Sequence, residues 1–235
     1  SALGLSWHGV LLAAALYAVR MFALTAGVHR YFSHRAFKTS RWVQFLLAFA
    51  GGMAVMRSAL WWASLHRQHH RSSDAEGDPH SPRQGFLWSH FLWFMARENQ
   101  ATRYDLVKDF EEYPELAWLD RREWVPILVL IGICFAIDGF PGWVWGANVS
   151  SVLLCHFTFS INSFSHVFGT QRYEARDDSR NSLVIALVSF GEGWHNNHHS
   201  LPWRARLGEG PWQIDITWCG IRILEGLRLV WDVRR

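Results

Sequence analysis

The strongest constraint on this chain is the stretch Gly191-Glu192-Gly193-Trp194-His195-Asn196-Asn197-His198-His199. Its histidines stand at i, i+3 and i+4, a spacing that places all three on one face of a helix. The spacing recurs in His66-Arg67-Gln68-His69-His70. A third pair, His29 and His34, is separated by four residues, and Asn162 lies four positions before His166. Neutral imidazole offers a nitrogen lone pair near pH 7, which makes histidine the commonest protein metal ligand. One such box could be chance or core packing; four clusters in 235 residues point to metal.

The second constraint is where these boxes fall. Half of the residues are hydrophobic and only 18% are charged, which is low for a soluble domain. Trp7 to Val28 is apolar apart from His8 and Arg20, and is about long enough to cross a bilayer. An intramembrane Arg20 should face a protein interior or a cavity. Spacing i, i+5 does not align two side chains on an α-helix, so the helix is expected to end or distort between His29 and His34. Trp42 to Met56 is a shorter apolar run, suited to an interfacial or re-entrant helix. Ser72 to Pro82 reads as loop, Gly85 to Ala96 as an amphipathic interfacial segment, and residues 97 to 123 as aqueous.

Trp124 to Ile137 and Trp143 to Ile161 are apolar and flank Asp138-Gly139-Phe140-Pro141-Gly142. Gly and Pro together favour a tight turn, so the two runs predict a transmembrane hairpin. Leu183 to Phe190 feeds the last box, and residues 200 to 235 suggest a soluble or interfacial cap. Arg30, Arg35, Lys38 and Arg41 follow one apolar run, and Arg121 and Arg122 precede another. Basic residues placed so suit a cytoplasmic membrane face; they form no stripe of the kind that binds nucleic acid. All four clusters then converge on one side. With His29 cytoplasmic, either the chain starts on the far side at Ser1, or a preceding helix is missing from this sequence. Fifteen tryptophans fit membrane interfaces, and Cys134, Cys155 and Cys219 read as buried small hydrophobes.

The candidate ligands are His29, His34, His66, His69, His70, His166, His195, His198 and His199, with Asn162 beside them. Nine imidazoles are too many for one ion and suit two. There is no His-Glu-x-x-His of a zinc hydrolase and no Glu-x-x-His of soluble di-iron bundles. On ligand chemistry alone iron, copper, zinc and nickel all remain. A site at the end of membrane helices faces apolar substrates, whose C–H oxidation requires a redox metal and O2.

On these residues the chain resembles the membrane fatty acid desaturases, specifically the acyl-CoA Δ9 (stearoyl-CoA desaturase-like) branch and its bacterial relatives. The resemblance runs from about Thr25 to the C-terminus. It is carried by Thr25-Ala26-Gly27-Val28-His29-Arg30, the box His66 to His70, Asp78-Pro79-His80, Asn162 to His166, and Gly191 to His199. It implies an all-α integral membrane bundle of three to four transmembrane helices. A cytosolic helical cap would enclose a histidine-rich dimetal site, as a single desaturase domain over residues 1–235. The family's first membrane helix has no counterpart here. The nine histidines would bind two Fe ions, and Asn162 would act on one through a water.

The implied activity is O2-dependent introduction of a double bond into a fatty acyl chain. The acyl carrier would be CoA, acyl carrier protein or a lipid. Ser64 and Leu65 stand where animal enzymes place an Arg-Asp pair against the CoA headgroup. Arg97 is retained from a basic pair whose other member is Glu98 here. Arg57 and Arg97 are therefore candidate headgroup contacts. No cysteine cluster, haem-binding domain or dinucleotide fingerprint is present in the sequence. Electrons should come from a separate ferredoxin, rubredoxin or cytochrome-type donor and its reductase. The expected location is a bacterial inner membrane, with the site facing the cytoplasm.

Several residues carry a weaker expectation. His8, His90 and His156 stand alone and read as ordinary histidines, and His80 reads as holding a loop. Glu192, Asp74 and Asp78 either orient ligand imidazoles or fix loops. Two rival functions remain at this stage. A related acyl hydroxylase or acetylenase would share the metals. A non-enzymatic membrane metal-binding protein would instead predict polar residues through the membrane runs, where Arg20 is nearly the only charge.

Overall fold

The computed structural model describes residues 7–235, so the expectation about Ser1 lies outside the described residues. The first helix, α1 (Trp7–Phe22), continues into a π-helical segment, Ala23–Ser33. Together they make a 27-residue rod long and apolar enough to cross a membrane. A π-helix bonds residue i to i+5. Here it removes the objection raised by the first box: the wider turn brings the His29 and His34 rings to a centroid separation of 4.9 Å. The distortion expected between them exists, but as a widened helix rather than a break.

Ser40 caps α2 (Arg41–Gly52), and Ser58 caps α3 (Ala59–Ser72); each hydroxyl accepts a main-chain N–H of the first turn. A Cβ on Gly51 would fall 2.4 Å from Val28 Cγ2, so that glycine is what lets α2 lie against the first rod. A π turn (Trp88–Leu92) leads into the short α4 (Trp93–Met95), and α5 (Pro114–Arg121) starts on proline, where the missing N–H costs nothing.

The second long apolar segment, Trp124–His166, contains α6 (Trp124–Gly142), a π stretch (Trp143–Val149) and α7 (Ser150–Ser163). It is not one rod. Asp138 and Gly139 leave helical geometry, Gly139 with φ of 54°, and the chain reverses there. The returning helix presses so close that a Cβ on Gly142 would sit 2.1 Å from the Cys134 carbonyl oxygen. The hairpin read from the Asp-Gly-Phe-Pro-Gly turn is therefore present. Only 17% of this segment's most apolar window is buried in protein. A helix apolar on all sides and uncovered by protein needs apolar surroundings.

Arg20 is buried as its position required. Its guanidinium donates to Met53 O and Leu16 O, each at 3.1 Å, to Ser151 Oγ at 2.7 Å, and to Ser150 Oγ. The charge thus ties α1 to α7 and to the end of α2.

The remaining helices are α8 (Leu183–Val188), α9 (His195–Ser200) and α10 (Ile216–Gly226). One feature departs from the all-α expectation. Strands β1 (Lys38–Thr39) and β2 (Val230–Trp231) pair antiparallel and fasten the C-terminal segment beside the first box. Two-residue strands carry no periodicity for a sequence to display. Cys134 is buried and Cys155 partly so, but Cys219 is exposed on α10, against expectation.

Candidate metal centre

Nine imidazoles from all four sequence clusters meet at the end of the long helices and sort into two groups. His29, His34, His66, His70 and His198 form one; His69, His166, His195 and His199 form the other. Within each group every ligand nitrogen lies within 4.8 Å of the rest. The two H-x-x-H-H boxes split alike. Residues i and i+4 (His66 with His70, His195 with His199) share a group, and the histidine at i+3 crosses to the other. Consecutive residues on a helix point about 100° apart, so adjacent histidines fall in different groups. The expectation that all three face one way holds for the helix face, not for a single ion.

The distances fit ions rather than a hydrogen-bond network. In the five-histidine group the Nε2 atoms of His34 and His66 are 2.8 Å apart. His66–His70, His70–His198 and His198–His29 are each separated by 3.0 Å. Imidazoles bound at about 2.1 Å with right angles between them would be separated by roughly 3.0 Å. In the other group His166 and His195 are 2.9 Å apart and His69 and His199 3.4 Å. His69 and His199 decide the matter. Each spends its one N–H through Nδ1 on a carboxylate, Asp78 at 2.9 Å and Asp177 at 2.6 Å. Two bare Nε2 lone pairs therefore face each other across buried space, an arrangement a cation between them would satisfy.

Carboxylates set the orientation of several rings. His166 Nδ1 bonds Asp74 at 2.8 Å, and His29 Nδ1 lies 2.5 Å from Glu192. Glu192 also accepts from Arg30, whose guanidinium donates to both oxygens of Asp215 and to Ala205 O. Asp74, Asp78 and Glu192 thus take the orienting role rather than a merely loop-fixing one. Asp177, Arg30 and Asp215 were not among the sequence candidates. Asp177 lies in a mixed-charge loop with nothing to single it out, and Arg30 resembled another membrane-flanking cation.

Burial tunes these groups toward the metal-ready form. It lowers His34, His66, His70, His195 and His198 well below the ordinary histidine range, helped by neighbouring imidazoles, so the rings stay neutral. Burial likewise takes His69 to about 3, the Asp78 interaction opposing it only in part. For Asp74 burial alone would raise the carboxyl, but bonds from His166, Asp178 N and Ser81 outweigh it and hold it at about 2. Asp78, Asp177 and Glu192 are lowered in the same way, burial being outweighed by their histidine partners and, for Glu192, by Arg30.

The asparagines inside the third box anchor it. Asn181 Oδ1 accepts the main-chain N–H groups of Asn196 and Asn197 at 3.0 and 3.3 Å. Asn196 holds the Arg172–Tyr173 loop, and Asn197 reaches Leu207 O and Gln213. A narrow cavity of about 30 Å³ lies beside the cluster, between the two long apolar segments. Met21, Leu24 and Ile161 line it together with His29, His66 and His195. Asn162 lines it as well, and its amide bonds no other described residue. Trp62 stacks on His66 at the wall.

His80 is buried beside Asp78, which accepts its main-chain N–H at 3.0 Å, and with His69 and Asp78 it makes a third potential donor group. His90 and His156 are not solitary: they bond each other at 3.0 Å, and His90 bonds Ser163, apart from the metal groups. His8 is exposed. Arg57 is engaged by Glu123 at 3.1 Å and by Gln100, and Arg97 is exposed.

Comparison with known proteins bears on what such a centre does. The fatty acid desaturase family profile matches residues 5–207. The chain is 37% identical over 233 residues to a chloroplastic palmitoyl-monogalactosyldiacylglycerol delta-7 desaturase of Arabidopsis thaliana. It is 38% identical to an sn-1 stearoyl-lipid 9-desaturase of Synechocystis and 36% identical to an acyl-CoA 5-desaturase of Anemone leveillei. These alignments cover 97% of this chain, but 63% of the first relative and 73% of the other two.

Proposed function

This chain belongs to the fatty acid desaturase family and is an oxidoreductase; on that premise we propose that it introduces a double bond into a fatty acyl chain, using O2 and two iron ions. The observation that carries the reading is the five-and-four division of converging imidazoles at the head of an apolar cavity. Bound irons would supply the redox chemistry that removal of two hydrogens from adjacent carbons needs.

The chain's own residues do the rest. His29, His34, His66, His70 and His198 hold one ion; His69, His166, His195 and His199 hold the other, with Asn162 acting through a water. Asp74, Asp78, Asp177 and Glu192 fix which ring nitrogen keeps its proton and so aim the Nε2 lone pairs. Met21, Leu24 and Ile161 exclude water and hold the acyl chain so that one C–C unit lies near the ions. Arg97, and Arg57 once Glu123 yields to a phosphate, would meet the acyl carrier's headgroup. The carrier is a lipid or a thioester: two of the relatives above are named for lipid-borne substrates and one for acyl-CoA. A separate ferredoxin, rubredoxin or cytochrome-type protein with its reductase would deliver electrons.

We read the two segments long and apolar enough to cross a membrane as spanning a bacterial inner membrane, with the ions on the cytoplasmic side. The test is to express the chain with a reductant system and identify lipid products by mass spectrometry while measuring iron. About two irons per chain and a new olefin are expected. A hydroxylated or acetylenic product would move the assignment to those sister reactions, and activity that survives iron removal would overturn it.

A further inference from the structure

We propose that α8 and α10 are seated in the inner leaflet and that an exposed apolar stripe on them contacts lipid acyl chains. The inference rests on the membrane reading above and adds to it a part of the chain that the two long segments do not include.

Depth carries the argument. α10 is fastened sideways to the first membrane rod: Thr217 and Thr25 share a hydrogen bond of 2.7 Å, and a Cβ on Gly220 would lie 2.3 Å from the Phe22 ring. The end of α8 is fastened deeper, where the Tyr17 hydroxyl donates to Val188 O. At 1.5 Å per residue, Phe22 and Tyr17 lie at most ~10 Å and ~18 Å along the rod from His29. If His29 marks the aqueous end, both attachments fall within the hydrocarbon or its boundary.

The uncovered faces agree in chemistry. On α10, Ile216, Cys219, Ile223 and Leu227 follow helical spacing and all are exposed, Ile223 at 65% and Leu227 at 63%. The opposite face, with Thr217 and Ile221, is buried against the rod. The helix is therefore apolar on both sides, which water does not favour and lipid does. Its charges, Arg222 and Glu225, pair with each other and leave the stripe uncharged. Val184 on α8 is 70% exposed, and Trp212, at the approach to α10, is 87% exposed, a residue suited to the headgroup boundary.

Continuity with the membrane rod commits the occupant to acyl chains rather than a protein. Thr25, which α10 bonds through Thr217, also lines the cavity, so α10 would back the rod that forms that wall, with the bilayer on its other side.

The test uses the full chain in phosphatidylglycerol–phosphatidylcholine vesicles with a nitroxide on Cys219 in a Cys155→Ala background, and separately, with Cys219→Ala added, at Ile223→Cys. A control label sits at Val152→Cys in that second background, exposed on the hairpin. Collision with O2 is compared with collision with a water-soluble nickel chelate. O2 should exceed nickel several-fold at 219 and 223, as at 152. Nickel dominating at 219 and 223 while O2 dominates at 152 overturns this inference and leaves the membrane reading standing. Nickel dominating at all three overturns both. Low collision with either reagent at 219 and 223 means a second copy or another protein covers the face, and overturns it too.

Discussion

The two imidazole groups are built differently. In the four-histidine group three rings are backed by aspartates of their own: His69 by Asp78, His166 by Asp74 and His199 by Asp177. In the five-histidine group only His29 has a carboxylate behind it among the described residues, and Glu192 divides its charge with Arg30. One group gains basicity and aim from acids; the other relies on number, with five imidazoles held chiefly by packing. The lesson is that two imidazole groups can share two sequence boxes and still lie in unequal fields.

The largest expected effects come from the ligands. His66→Ala and His195→Ala should each remove about one metal per chain and lower desaturation by a hundredfold or more, which metal analysis and product yield would read. Equal loss of both metals in each variant would show that the groups are coupled rather than separate. Next is the buried Arg30. Arg30→Met takes the guanidinium away from Glu192 and Asp215, and should destabilise the protein by about 3–5 kcal/mol, read as a lowered Tm. Asp78→Asn or Asp177→Asn should weaken metal retention by roughly 10–100-fold in the four-histidine group alone, and Glu192→Gln should do so in the other. The comparison breaks if a chelator titration finds the same ion weakened in all three. Asn181→Ala, the mildest, frees the N–H groups of Asn196 and Asn197 at a cost of about 1–3 kcal/mol and should loosen both ions slightly, since the third box serves both.

The convergence of the nine histidines was legible because i, i+3, i+4 spacing on apolar-flanked segments has few other uses. The hairpin was legible from Gly and Pro between two apolar runs, and the burial of Arg20 from its cost in lipid. The assignment of each histidine to a group was not, since neighbours 100° apart are equivalent in a string of letters. Asp177 was hidden among Arg172, Glu174, Arg176, Asp178 and Arg180, where every charge looks solvated. Arg30 was misleading for the opposite reason: the membrane pattern explained it too easily. The sheet of β1 and β2 was too short to leave any pattern.

The wide-turned portion of the first rod has a consequence for how this protein can change. Substitutions that tighten this stretch to ordinary α pitch at constant length would turn position 34 roughly 140° away from position 29. All nine imidazoles would remain in the polypeptide, yet His34 would swing out of reach of His66. The spare residue of that loosened coil is thus as much a part of the cage as the donors it presents.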